Sequence, residues 1–67
     1  MSKISFVSFC IENYADMIGK PSNEVYADFK NSGLLNLLQS DYEDLHGMSM
    51  EYMLDFCNQY MRGAAKQ

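Results

Sequence analysis

The chain has 67 residues, with nine acidic side chains against five basic ones for a net charge of −4, and 48% of it is hydrophobic. That composition excludes a disordered tail, and the length allows one domain, residues 1–67, with a small core of its own. It leaves no room for a cofactor cradle beside a substrate pocket. It also argues against nucleic acid as a partner, because Lys3, Lys20, Lys30, Arg62 and Lys66 are scattered rather than arrayed to release counterions.

The periodicity is helical from the start. Ile4, Val7, Ile11, Tyr14 and Ile18 follow a 3,4,3,4 spacing and predict the core stripe of a first helix over about 3–18, widened by Phe6, Cys10 and Met17. Ser2 is placed to cap it, and Gly19 to end it in a left-handed turn. Lys20-Pro21-Ser22 is a connector. Ser22 then caps a second helix over about 23–32, with Val25 and Phe29 on one face, Tyr26 beside them, and Asn31-Ser32-Gly33 as its stop.

A Leu-rich third helix is expected over about 34–45. Leu34, Leu38 and Leu45 share its face, and Leu35, Leu37 and Tyr42 lie at the edges. Ser40 and Glu43 have capping-box spacing and would mark a break, but the reading favours continuity. His46-Gly47 turns the chain, with Gly47 suited to a left-handed position. Ser49 caps the last helix, about 50–62, which stops before Gly63; the final residues are expected to fray. Four short helices with short loops predict a compact all-α bundle.

The last helix carries more apolar surface than a core needs. Met50, Met53, Leu54, Cys57 and Met61 form one stripe, with Tyr52, Phe56 and Tyr60 beside it. At about 100° per residue the two together cover roughly 200°, about twice what a surface helix buries. Phe9 stands among Ser5, Glu12, Asn13 and Asp16, opposite the first helix's stripe. Phe9, Tyr52, Phe56 and Tyr60 are therefore the expected interface, for self-association as a dimer or for a partner protein. Between Asn31 and Met61 no base occurs, and Asp41, Glu43, Asp44 and Asp55 form an acidic face able to steer a basic partner.

Chemical signatures are sparse. Cys10 and Cys57 have no CxxC pattern and read as small buried thiols. His46 follows Asp41, Glu43 and Asp44, which raises a metal or acid-base alternative centred on it. No nucleophile or Gly-rich loop accompanies it, and the bland reading is a helix-end histidine bonded to a last-turn carbonyl. The expectation is therefore no catalytic residue, no cofactor and no metal ligand. A helix-turn-helix reading fails because Leu34 to Asp41 offers no Arg or Lys. No run reaches membrane-span length, and Ile4 to Ile11 has no cleavage site after it, so the expected setting is cytoplasmic and away from membranes.

The chain also resembles a small bacterial family classed as a domain of unknown function. The likeness rests on Phe9-Cys10-Ile11-Glu12-Asn13-Tyr14, on Ser22 to Lys30 followed by Gly33 and Leu34 to Leu38, and on Tyr42-Glu43-Asp44-Leu45-His46-Gly47, with a helix holding Tyr52 after it. It covers nearly the whole chain, and the Leu45-His46-Gly47 motif is its most specific mark. The resemblance implies an all-helical fold in a bacterial cytosol and supplies no catalytic residues. Members are often encoded beside other small proteins, some similar to ADP-ribosyltransferase-like toxins, which implies an accessory or antitoxin-like binder.

Overall fold

The structure, a computed structural model, describes residues 2–65, with side-chain surroundings given through Gly63. It is helical and contains no strand among these residues. Among the described residues five helices follow one another: α1 (Lys3–Ile18), α2 (Ser22–Ser32), α3 (Leu34–Ser40), α4 (Tyr42–Leu45) and α5 (Met50–Ala65).

The boundaries follow local chemistry. The Ser5 amide donates to Ser2 Oγ at 3.1 Å, which satisfies one of the free amides that open α1. Gly19 ends α1 with φ 71°, and Gly33 ends α2 with φ 91°. Both lie in the left-handed region that only glycine enters cheaply. The Tyr52 amide donates to Ser49 Oγ at 3.1 Å at the start of α5.

Four local expectations are corrected. Pro21, extended at φ −63° and ψ 145°, precedes α2, and Ser22 is its first helical residue with no side-chain cap; the Pro21 carbonyl accepts from Glu24 and Val25 instead. The expected 34–45 helix breaks at Asp41, where φ −100° and ψ 18° leave helical geometry. Ser40 and Asp41 are weak helix formers, and the S-x-x-E box is not the device used, since Asp41 sits at the cap position without a side-chain bond. Gly47 is not left-handed; the chain leaves α4 through right-handed His46 at φ −64°, and the Met48 amide donates to the Leu45 carbonyl. Gly63 does not stop α5, which continues to Ala65, because a glycine ends a helix only when it adopts positive φ. The expected fraying at Lys66 and Gln67 lies outside the described residues.

The core is one cluster. Phe6, Val7, Cys10, Ile11, Tyr14 and Ala15 of α1 meet Val25 and Phe29 of α2, Leu34 and Leu38 of α3, Tyr42 and Leu45 of α4, and Met53 and Cys57 of α5. Rings pack at angles that suit their quadrupoles: Phe6 against Tyr42 at 5.5 Å edge-on, and Tyr14 against Phe29 at 5.3 Å. The α1 stripe is narrower than its spacing suggested. Ile4, Met17 and Ile18 are exposed, Ile4 at 82%. At 16 residues, α1 is longer than α2 at 11 and α3 at 7, so its ends overhang them.

Candidate interaction surface

The outward face of α5 is set by what its inward face already buries. Met53 and Cys57 enter the core almost completely, at 2% and 1% exposure. One position either side in the helical wheel, Leu54, Phe56, Tyr60 and Met61 are half-buried against the cluster. Tyr52 lies beyond them at 48% exposure and stacks on Phe56, with centroids 6.4 Å apart and planes 21° apart. Beside this pair, Gln59 donates to the Asp55 carboxylate at 2.9 Å.

The four aromatic positions expected at an interface thus have different surroundings. Phe9 is 40% exposed on the outer side of α1, where Asn13 Nδ2 donates to its carbonyl at 2.7 Å. Tyr52 is the most open, and Phe56 shares its ring between Tyr52 and the core. Tyr60 is tied to the fold: its hydroxyl donates to the Ser32 carbonyl at 2.8 Å. Ser32 Oγ in turn approaches Met61 Sδ at 3.4 Å, so the α2 terminus is clamped to α5 through Ser32.

A second apolar feature was not read from the sequence. A shallow groove of about 210 Å³ opens between α1, α2 and α3, lined by Ile4, Val7, Ser8, Ile11, Tyr26, Leu35 and Gln39. It exists because α2 and α3 do not close over the N-terminal end of α1. The pattern of α1 alone carries no trace of this, and the short α3 that leaves it open was itself expected to run on to Leu45.

The acidic residues do not assemble into a cage. Glu43, Asp44 and Asp55 are exposed and Asp41 is half-buried. Among the described residues no group of three or more His, Cys, Asp or Glu is arranged to hold a metal ion. His46 is exposed, stacks on the Tyr42 ring at 4.7 Å, and places Nδ1 2.9 Å from the Tyr42 carbonyl. That is the helix-end role, made with the carbonyl four residues back. Leu45 of the same motif is core and Gly47 is exposed.

Cys10 and Cys57 are free and buried, and their side chains interact. The neighbouring Cys57 side chain draws the Cys10 thiol below its ordinary value against the opposing effect of burial. The Cys10 side chain and burial together push the Cys57 thiol far up. Sequence reading found two buried thiols and had no means of placing them together.

None of the described helices is long and apolar enough to cross a membrane. No curated protein and no solved structure matches the chain. Residues 5–63 match the family described as "Protein of unknown function (DUF3791)", which covers all five helices apart from the first two residues of α1 and the last two of α5. The chain belongs to that family of proteins of unknown function.

Proposed function

We propose that this chain is a protein-interaction module without catalytic residues, and that the Tyr52–Phe56 face of α5, with Phe9 on α1, is its contact surface. The observation that carries the reading is the exposed Tyr52 ring stacked on Phe56 outside a core already filled by Met53 and Cys57. An aromatic ring held open to water costs solvation and contributes little to folding, whereas aromatic and Met side chains are enriched where proteins meet. Exposed Glu43, Asp44 and Asp55 add a negative field that favours a basic partner. Tyr60 belongs to the support of this face rather than to the contact.

The test combines sedimentation velocity of the purified chain with affinity capture from its native cells. Wild type should self-associate or retain a stoichiometric protein, and the Phe9→Ser/Tyr52→Ser variant should lose that association with its helical circular dichroism intact. Association that survives the double substitution removes these residues from the contact.

A further inference from the structure

The buried thiols are a group that the interaction reading does not use. Cys10 is on α1 and Cys57 on α5, and both are 1% exposed in the same core cluster. The two helices pack directly on each other, and the two thiol side chains interact. For helix axes about 8–10 Å apart and a Cα radius of about 2.3 Å, facing Cα atoms lie about 3.4–5.4 Å apart. That overlaps the span of about 4.4–6.8 Å that a disulfide bridges.

We propose that Cys10 and Cys57 form an oxidisable dithiol that closes to an intramolecular disulfide, latching α1 to α5 when the chain meets a small peroxide. The size of the oxidant follows from burial. A core with both thiols closed off cannot accommodate a bulky mixed disulfide on either sulfur, whereas a peroxide adds only one oxygen. In the first step the Cys10 thiolate attacks one peroxide oxygen, the O–O bond breaks, and Cys10 becomes a sulfenic acid; the departing oxygen takes up the thiol's proton and leaves as water when the oxidant is hydrogen peroxide. In the second, the Cys57 sulfur attacks the Cys10 sulfur, the S–O bond breaks, and a second water leaves with the Cys57 proton. Two thiols lose two electrons in total and one peroxide is reduced. Cys10 acts first because its thiol, beside Cys57, is held below its ordinary value and so carries the thiolate more readily. Brief opening of the α1–α5 contact admits the oxidant, so the reaction is slower than that of an exposed thiol.

The experiment treats the reduced full-length chain with hydrogen peroxide and follows it by intact mass and by non-reducing peptide mapping. The expected product is a monomer that has lost two hydrogens, with one peptide pair joining Cys10 to Cys57, and dithiothreitol restores the original mass. Methionine oxidation adds oxygen and does not reverse with dithiothreitol, so it is distinguishable. The oxidised form should keep its helicity and melt about 10 °C or more above the reduced form, since the bond closes a long loop. Cys10→Ala should give no linked product, and Cys57→Ala should halt at a Cys10 oxyacid. The proposal is overturned if wild type yields disulfide-linked dimers or oxyacids in place of the linked pair, if it does not react before methionine does, or if the linked form has lost its helices.

Discussion

Tyr60 and Ser32, 28 residues apart, are joined by a 2.8 Å hydrogen bond from the phenol to the backbone carbonyl, and the same hydroxyl lies 3.1 Å from the place where a Cβ on Gly33 would stand. One contact thus holds α5 onto the α2–α3 corner and also crowds any side chain at that corner. Tyr60→Phe removes the bond and leaves the half-buried Ser32 carbonyl without that donor. The expected loss is about 1 kcal/mol of unfolding free energy in a urea titration, with the fold unchanged.

Gly33 answers to two constraints. Its φ of 91° disfavours any side chain, and Tyr60 crowds the space as well. Gly33→Ala should therefore cost about 1–2 kcal/mol or more from the backbone alone. Combined with Tyr60→Phe it should cost less than the sum of the two, because the hydroxyl that the new methyl meets is then gone. A double-mutant cycle by denaturant unfolding measures that coupling.

The three loop glycines separate cleanly by conformation. Gly19 at φ 71° and Gly33 need the left-handed region, while Gly47 does not and has open space around it. Gly47→Ala should be neutral or raise stability by up to about 1 kcal/mol, and Gly19→Ala should lower it by about 1 kcal/mol. Thermal melts of the two variants compared with wild type check the contrast. A Gly47→Ala variant as damaging as Gly19→Ala would mean that the turn after His46 has another geometry.

Alkaline stability follows from Tyr14. Burial, then the neighbouring Cys57, hold its phenol above the ordinary value near 10, with Asp28 adding to this and Lys20 opposing it. In the unfolded chain the phenol ionises first, so the folded state's advantage is complete below pH about 10 and falls as pH rises through the Tyr14 titration. Denaturant unfolding from pH 8 upward should show that fall, and Tyr14→Phe should make it shallower.

Much of the fold was legible because the core positions repeat at helical spacing. Val25 with Phe29, Leu34 with Leu38, and Met53 with Cys57 are each four apart, and all six are buried. What the pattern could not supply was helix overlap. Ile4, Met17 and Ile18 fit the α1 stripe as well as Val7 does, but a stripe records only direction around the axis, not how far a partner helix extends along it. The break at Asp41 and the right-handed exit through His46 are similar cases, since small dihedral changes there depend on how Tyr42 and Leu45 reach the core. For the site, exposed Tyr52 was foreseen from the excess apolar arc of the last helix and exposed Phe9 from its polar neighbours on the first, but the Tyr60–Ser32 clamp was not. Long-range partners leave no periodic signal.

The most direct check of the interaction reading is sedimentation velocity on wild type and on Phe9→Ser/Tyr52→Ser at matched concentration, alone and with whatever protein co-purifies. The account predicts a heavier species for wild type and a lone folded monomer for the variant, both with the same helical circular dichroism. An identical sedimentation profile for the two proteins, or an unfolded variant, would contradict it and assign these aromatics to the fold.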